Sequence, residues 1–467
     1  MSTAERRFRL IALIVAGAFF MQNLDSAIIN TSMPQMALSF GVRALDLSAG
    51  ITAYVIAGAA CLPLSGWAAD RYGARRVFAG AIVVFTLASM ACGGARSLGV
   101  FIAARVVQGA GGALMTPVGR AVVLRNAAKS ELLRAIALIT WPALLAPILA
   151  PVVGGAITTY FSWRWNFLLN APLGVVAVVL VHRYIPNEKP DSPRPLDWPG
   201  LGLSSVALVC LLYNIESLAG GRTDWRLSVG LAAVGAAAAV LARRHLLRTR
   251  HPLLDLSPLR VPSFAACNAG AGLIFRGTIA ATPFLLPLLF QVGFGLTPLA
   301  SGWLVTVYFF GNLAMKPGTS PLVRRFGFRN LLIVNGLLSG AAILACATLQ
   351  LQSPWWLSFP VLLLAGLTRS MQFTCLNTLG FAELSASQNT AGSTLSSMLV
   401  QISMAAGVGV AALILHAAPL LHGRTAVSLG DFRWAFVIVG VVGMASAVRF
   451  LKLPVHVGAE VSGRGQA

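Results

Sequence analysis

Charged side chains are scarce in this chain. Asp, Glu, Lys and Arg together make up 10% of its 467 residues, whereas a soluble domain carries about 25%. So few charges cannot cover the water-exposed surface of a 49.0 kDa body. The hydrophobic share of 57% excludes a disordered chain. The composition therefore leaves a polytopic membrane protein.

Signatures of bound cofactors and of catalysis are also missing. The six cysteines all fall in apolar stretches, and none has the short spacing of a disulfide framework or a zinc site. No Gly-Lys-Ser or Gly-Lys-Thr sequence is present, so a phosphate-binding loop for ATP is unsupported. No stretch combines a nucleophile, a base and an orienting acid. We expect no metal, no cofactor and no enzymatic activity.

Long apolar runs are abundant instead. Each is close to the roughly 17–25 residues that a helix needs to cross the hydrocarbon core, and period-two alternation is absent, which argues against a barrel. The fourteen runs are 11–31, 48–68, 77–95, 100–119, 135–159, 166–185, 199–218, 227–243, 266–290, 299–317, 331–350, 354–378, 394–415 and 433–453. They predict an all-α protein with 14 transmembrane helices.

The basic residues are distributed unequally between the two sides of these runs. With the N-terminus inside, 25 of the 35 Lys and Arg fall on the inner side, 7 on the outer side, and 3 within runs. This positive-inside asymmetry predicts that both termini are cytoplasmic. The net charge of +21 therefore reflects membrane topology and does not indicate a nucleic-acid-binding surface. The first run carries Asp25 and no clear cleavage site, so we interpret it as a retained span.

The runs group as six, two and six. We predict a six-helix bundle over residues 1–185, cytoplasmic linkers with two accessory helices over 186–265, and a second six-helix bundle with a tail over 266–467. The Pro-rich stretch 186–195 is typical of a linker. An internal repeat supports the duplication: Arg71, Gly73 and Arg75 match a second copy at an offset of 254, in which the position of Asp70 is an arginine.

The loop after the second run carries the first resemblance to a known family. Six residues fit one spacing pattern, Gly66-x-x-x-Asp70-Arg71-x-Gly73-x-Arg75-Arg76. The pattern resembles the signature of the major facilitator superfamily, which implies that the loop clamps the two halves in one transport state. The alternative is a plain positive-inside turn, which explains the arginines but not the aspartate.

Narrower motifs are Leu24-Asp25-Ser26-x-x-x-Asn30-x-x-x-Pro34, Arg105-x-x-Gln108-Gly109-x-Gly111-Gly112, Ala150-Pro151-x-x-Gly154-Gly155, Trp163-Arg-Trp-Asn-Phe167, Asn170-x-Pro172-x-Gly174 and Leu196-Asp197-Trp198-x-Gly200. They resemble those of the fourteen-span drug:proton antiporters of the EmrB/QacA type, over about residues 10–453. Phe19-Phe20-Met21-Gln22, Arg276 and Asn377-Thr378 are similar to the MdtD multidrug-resistance group within that type. Ala150 stands where the antiporter motif usually has glycine.

Ionisable residues inside spans are costly and usually functional. Among the predicted spans of the two six-span halves, Asp25 is the single acidic residue well inside a span. Gln22 precedes it by three residues and lies on the same helical face. We expect Asp25 to carry a proton or contact substrate; the alternative is local capping near the end of the span. Arg105 and Gln108 share one face of the fourth span. Arg105 could respond to the protonation state of Asp25 through a shared cavity field; the alternatives are a fixed ion pair or a cap on backbone carbonyls.

Four further side chains are candidates to line a transport cavity. They are Asn30, Arg276, Arg369 and Gln372. For the two arginines the alternative is hydrogen bonding to neighbouring helices. In the fifth span, Pro147, Pro151, Gly154 and Gly155 bend the helix and permit close approach. We expect spans five and ten to seal the halves; a kinked packing helix is compatible with this.

These features predict a secondary transporter of the bacterial inner membrane that exports drugs or small organic molecules. The proton gradient would drive it, so its partners are substrate, protons and the lipid bilayer, with no nucleic acid, and a monomer is plausible. An exporter of organic anions or metal–anion complexes is the alternative within the same class, motivated by the buried arginines. A non-transporting membrane receptor on the same scaffold is the alternative from another class.

Overall fold

The computed structural model describes residues 3–125, 132–186, 195–220, 225–249, 252–385, 388–421, 423–424, 426–454 and 456–458. The regular elements of these residues are all helical, with no strand among them. This confirms the predicted all-α class. Most of the predicted Pro-rich linker, residues 187–194, lies outside the described ranges.

The described chain forms eighteen α-helices in sequence. They are α1 (Thr3–Phe40), α2 (Ser48–Cys61), α3 (Leu64–Tyr72), α4 (Ala74–Gly94), α5 (Leu98–Arg125), α6 (Leu132–Tyr160), α7 (Trp165–Leu168), α8 (Asn170–Tyr184), α9 (Trp198–Gly220), α10 (Trp225–Arg248), α11 (Pro262–Asn268), α12 (Ala271–Leu288), α13 (Pro298–Ala314), α14 (Lys316–Phe326), α15 (Phe328–Cys346), α16 (Trp355–Ala382), α17 (Asn389–Leu421) and α18 (Leu429–Val448). A π-helical turn, Leu289–Gly293, extends α12.

Twelve helical stretches of the described residues are long and apolar enough to cross a membrane. Two predicted runs fall short of that length. The fifth corresponds to the apolar helical stretch Leu145–Tyr160, and the tenth to α13, which has 17 residues. Twelve spans are therefore established by length and composition, and the remaining two stay a prediction.

The chain divides into two compact units. Unit 1 comprises Met1–Ser205 and Thr297–Gly302, and unit 2 comprises Val206–Leu296 and Trp303–Ala467. The first division falls within α9. The predicted domain boundaries after residues 185 and 265 remain a prediction.

Helix packing in unit 1 is centred on α1 and α5. Helix α1 packs along α6 and also contacts α5 and α8, while α5 packs against α2 and α4. Buried apolar side chains such as Phe19, Phe78 and Phe85 fill the space between them. This packing brings α1, α4, α5 and α8 together around a common point.

Helix packing in unit 2 is centred on α12, α15 and α16. Helix α12 contacts α17 and α18, α15 packs against α16 and α18, and α11 lies on α16. Phe275, Phe328 and Leu376 are fully or almost fully buried in its core. On the side of α16 that points away from this core, residues such as Arg369, Phe373 and Asn377 are partly exposed.

The repeated loop has the same backbone geometry in both copies. Gly73 joins α3 to α4 with φ +88° and ψ 140°, and Gly327 joins α14 to α15 with φ +76° and ψ 161°. An L-residue side chain disfavours this region strongly. The requirement for glycine therefore explains why this position is shared by the two sequence copies.

Candidate functional site

Asp25 lies in the middle of unit 1 and is 1% exposed. Its Oδ2 accepts a hydrogen bond from Arg105 Nη1 at 2.9 Å. Its Oδ1 accepts from Asn170 Nδ2 at 2.7 Å, from Gln108 Nε2 at 2.9 Å and from Ser89 Oγ at 3.3 Å. A carboxylate has lone pairs for four such donors. The carboxylate of Asp25 thus meets donors from three other helices.

Arg105 is also 1% exposed, and its guanidinium is held from several sides. Besides Asp25, Nη1 donates to Gln108 Oε1 at 2.6 Å, and Nε donates to the Gly50 carbonyl at 3.4 Å. The guanidinium carbon lies 4.1 Å from the centroid of the Tyr54 ring, which is cation–π contact. The ring and the carbonyl remain as partners even without the carboxylate.

Four helices supply this cluster, which we call the Asp25 network: Asp25, Ser89, Arg105, Gln108 and Asn170. They lie on α1, α4, α5, α5 and α8 in that order. The sequence left open whether Arg105 senses Asp25 through the field of a cavity or forms an ion pair with it. The structure places the two side chains in direct contact.

Gln22 lies beside the network, one turn before Asp25. Its Nε2 donates to the Gly112 carbonyl at 3.1 Å and reaches the Tyr54 hydroxyl at 3.5 Å, and its Oε1 accepts from Thr116 Oγ1 at 3.0 Å. Tyr54 thus connects Gln22 to Arg105. Asn30 is half-buried on α1 and lies outside this set of contacts.

Sequence reasoning had not assigned a site role to three residues of this region. Asn170 was visible as a polar residue in a motif, whereas Ser89 and Tyr54 are single polar residues within apolar runs. One sequence does not tell which side of a helix faces which neighbour. Their roles therefore emerge only from the packing of α1 with α4, α5 and α8.

The predicted cavity arginines lie in unit 2. Arg276 Nη2 donates to Asn377 Oδ1 at 2.9 Å, and its guanidinium carbon lies 5.1 Å from the Phe373 ring centroid. Arg369 lies on the same helix as both of these partners. Its guanidinium carbon is 5.5 Å and 5.4 Å from the ring centroids of Tyr308 and Phe309.

Gln372 points to the opposite side of α16. Its Nε2 donates to the Leu332 carbonyl at 3.0 Å, and its Oε1 accepts from Asn335 Nδ2 at 2.9 Å. These contacts join α16 to α15. In the structure, Gln372 is thus a buried packing residue that is not grouped with Arg369.

The predicted gating loop surrounds the turn at Gly73. Gly66 and Arg76 are exposed, whereas Asp70 and Arg75 are partly buried. Arg71 lies with its guanidinium carbon 5.9 Å from the Trp67 ring centroid. The loop thus presents several cations around a turn of fixed geometry.

The glycines of α6 allow close backbone contact with the start of α13. A Cβ on Gly155 would lie 2.5 Å from the Pro298 carbonyl oxygen, and a Cβ on Gly302 would overlap the carbonyl of Pro151. Gly154 faces α1, where a Cβ would overlap Ile28. Pro147 is half-buried one turn before Pro151.

Among the described residues, no set of three or more His, Cys, Asp or Glu is placed to hold a metal ion.

Comparison with known proteins decides the family. A profile of the Major Facilitator Superfamily matches residues 15–408 and 269–467. The chain belongs to the Major Facilitator Superfamily. A relative from Salmonella paratyphi A, described as a proposed multidrug resistance protein, MdtD, is 34% identical over 450 residues, which cover 94% of each chain. A Salmonella typhimurium protein of the same description has the same identity and coverage.

Solved structures share the fold of this facilitator. A POT family transporter in complex with 5-aminolevulinic acid superposes with a TM-score of 0.71 at 14% identity, covering 96% of this chain and 95% of the other. A D-xylose-proton symporter gives 0.67 at 16% identity, covering 96% and 98%. Because it belongs to this superfamily, the chain is a multi-pass membrane transporter for small molecules. A transporter family is consistent with the predicted absence of enzymatic activity.

Proposed function

We propose that this facilitator exports drugs or other small organic molecules in exchange for protons. The buried Asp25–Arg105 ion pair carries the proposal, because a charged pair within apolar helices is costly and is kept where it does work. The MdtD relatives, which carry multidrug resistance in their name, support the substrate class. The D-xylose-proton symporter shows that proton coupling occurs on this fold.

The proposed coupling step is protonation of Asp25. In the ionised state the carboxylate accepts hydrogen bonds from α4, α5 and α8 at once. A proton on either oxygen removes the negative charge that pairs with Arg105 and turns one acceptor into a donor. Arg105 then keeps the Tyr54 ring and the Gly50 carbonyl as partners.

Loss of these bonds loosens the junction of four helices, and the balance between two packings of unit 1 shifts. Substrate that binds the packing without a proton on Asp25 is released when the proton binds, which is the exchange cycle of an antiporter. Gln22 and Tyr54 extend this change from Arg105 towards Gly112 on α5.

We further propose fourteen spans in the bacterial inner membrane, with both termini in the cytoplasm and a monomer as the working unit. The two spans beyond the established twelve are α6 and the α13–α14 segment. The 25 inner and 7 outer cations support the orientation.

The experiment measures export of a cationic dye, ethidium, and of an organic anion, 1-pyrenebutyrate, from inverted vesicles or proteoliposomes with an imposed pH gradient. For the substrate that the wild type moves, we expect Asp25→Asn, which keeps the shape and removes the charge, to abolish gradient-driven export while downhill exchange remains. Arg105→Gln should reduce both. Export by Asp25→Asn that responds to the gradient as in the wild type would refute the coupling role.

Asp46→Asn is the matched control. Asp46 lies in the same unit and pairs with Arg43 at 2.7 Å, but the arginine side chain of this pair is 47% exposed. Removing an acid from such a surface pair costs little. Gradient-driven export should therefore stay at the wild-type level in this variant.

A further inference from the structure

Three cationic side chains lie along one face of α16 in unit 2. Arg369, Phe373 and Asn377 are spaced by four residues and therefore form one face about 12 Å long. Arg369 is at one end, and Arg276 of α12 reaches Phe373 and Asn377 at the other. Lys316 of α14 donates through Nζ to Thr374 Oγ1 at 3.1 Å, between them.

The two arginines are incompletely satisfied. Arg276 is 2% exposed, and its Nε and Nη1 have no hydrogen-bond partner among the described residues. Nε and Nη1 of Arg369 are likewise buried and unpartnered within the described chain. A buried guanidinium nitrogen without an acceptor is costly. Four donors therefore await acceptors on this face.

Acidic residues are absent from the helices that build the face. The sequences of α12, α13, α14 and α16 contain neither Asp nor Glu. Asp431, a buried acid at the start of α18 in unit 2, pairs with Arg424 at 2.8 Å. The positive charge of Arg276, Lys316 and Arg369 is thus not balanced by a neighbouring acid on these helices.

The α16 face is partly exposed, although its four unpartnered guanidinium nitrogens are themselves buried and the core side of the same helix is covered. Arg369, Phe373, Thr374 and Asn377 are partly exposed, whereas the next positions round the helix, such as Gln372, are buried against α15. A face of Arg, Thr and Asn does not suit lipid chains, because exposing such groups to hydrocarbon is costly. It suits a water-accessible surface that a ligand can enter.

We propose that this face is an anion-binding site that takes the carboxylate or phosphate group of the transported substrate. The fork of a guanidinium matches the two oxygens of such a group, and Lys316 adds a third cation. The partly exposed Phe373 ring offers apolar contact for the rest of the molecule. This inference specifies the substrate class of the proposed exporter, and it rests on that proposed function because the bound anion is taken to be the transported molecule.

The Asp25 network and this face have different tasks in the proposal. Asp25 is fully engaged by its own donors, so it is not available to neutralise a ligand. The four unpartnered guanidinium nitrogens of Arg276 and Arg369 lie in unit 2, on the α16 face. An organic anion therefore fits the vacant donors better than a lipophilic cation does.

The test measures binding and not transport, so that failure of the export proposal can be told apart from failure of this one. Purified protein in phosphatidylcholine nanodiscs is titrated with 1-pyrenebutyrate, and binding is followed by energy transfer from tryptophan to pyrene. The specific signal is the part displaced by excess 4-phenylbutyrate. 1-Pyrenebutanol, with the same ring and no charge, is the matched ligand.

We expect pyrenebutyrate to bind about tenfold more tightly than pyrenebutanol. Arg276→Gln and Arg369→Gln should each weaken pyrenebutyrate binding by roughly ten- to a hundredfold, as expected for loss of a charge-assisted hydrogen bond. Arg276→Lys and Lys316→Arg should retain part of the affinity. Binding of pyrenebutanol should not change in any of them.

Arg433→Gln is the control, because Arg433 is an exposed cation on α18 of the same unit. Its affinity for pyrenebutyrate should equal that of the wild type. Equal affinity of the two arginine variants and the wild type for pyrenebutyrate would overturn the site, as would equal binding of the acid and the alcohol.

A last arm separates a small anion from a lipid headgroup. Phosphatidylglycerol is added to the nanodiscs at constant total lipid. Unchanged pyrenebutyrate binding supports a site for a free anion. Competitive loss of binding, absent in Arg276→Gln, assigns the face to an anionic lipid and overturns the substrate site.

Discussion

At the scale of single residues, Asp25 and Arg105 form a buried ion pair between two helices. Both side chains are about 1% exposed and are joined at 2.9 Å. Breaking a buried pair by removing one partner commonly costs about 3–5 kcal/mol, because the other charge stays buried and unpaired. Removing both partners costs less.

A double-mutant cycle tests this reasoning. We expect Arg105→Gln alone to destabilise the detergent-solubilised protein by about 3 kcal/mol, and Asp25→Asn with Arg105→Gln to recover part of that loss. The measurement is the midpoint of unfolding, followed by circular dichroism. The exposed pair Arg43 and Asp46 is the control, where the same cycle should give about 0–1 kcal/mol. Simple additivity at the buried pair would contradict the prediction.

Tyr54 provides a second prediction at residue scale. Its ring lies under Arg105 at 4.1 Å, and its hydroxyl is 3.5 Å from Gln22 Nε2. Tyr54→Phe keeps the ring, so we expect gradient-driven export close to wild type. Tyr54→Leu removes the cation–π contact, worth about 1–2 kcal/mol when desolvated, and should slow export about tenfold. Equal rates in the two variants would show that the ring does not position Arg105.

Turns between helices are the features that matter at the scale of elements. Gly73 and Gly327 hold φ +88° and +76° in the two copies of the loop. Asp70 and Arg71, two residues of the predicted gating loop, lie just before the first of these turns. The angle at which α3 meets α4 therefore depends on a residue without a side chain.

Replacing Gly73 by alanine tests that dependence. The strain of a side chain in this backbone region is about 1–3 kcal/mol, and we expect Gly73→Ala to lower stability by that amount and to reduce export. Gly66→Ala is the matched control, because a Cβ on Gly66 meets nothing within 4 Å. It should be neutral or slightly stabilising within a helix. The check is the unfolding midpoint of both variants, and equal midpoints would contradict the assigned role.

The contact between α6 and the start of α13 gives the second prediction at this scale. A Cβ at Gly155 would lie 2.5 Å from a backbone oxygen, which cannot yield like a flexible side chain. Overpacking of this kind costs about 1–3 kcal/mol, so Gly155→Ala should slow export by about tenfold or more while the protein still reaches the membrane. Gly17→Ala, where the Cβ would meet open space, should export normally. Normal export by Gly155→Ala would show that close backbone contact at Gly155 is not required for transport.

At the scale of the whole molecule, the distribution of Lys and Arg determines the orientation of the helices across the membrane. The predicted inner side carries 25 of these residues and the outer side 7. Reporters fused after Gly73 and Pro190 should therefore be cytoplasmic. Reporters after Ser97 and Arg222 should be external. The measurement is paired phosphatase and fluorescent-protein activity in intact cells. Fusions at Pro190 and Arg222 on the same side would leave twelve crossings and remove the two accessory spans.

The sequence by itself determined the helical class, because about twenty apolar residues in a row satisfy their backbone groups in lipid only as a helix. It also determined the family through motifs at fixed spacing, and it marked Asp25, Arg105 and Gln108 as costly groups within spans. Those features are local in the chain, or they repeat at a fixed period.

Only the tertiary structure decided which polar groups meet. Asp25 and Asn170 are 145 positions apart, and Lys316 and Thr374 are 58 apart. The rotation of each helix about its axis sets such contacts, and a uniformly apolar run does not fix that rotation. For the same reason Gln372, predicted beside Arg369 in a cavity, lies against α15, while Lys316, predicted as a loop cation, lies on the α16 face.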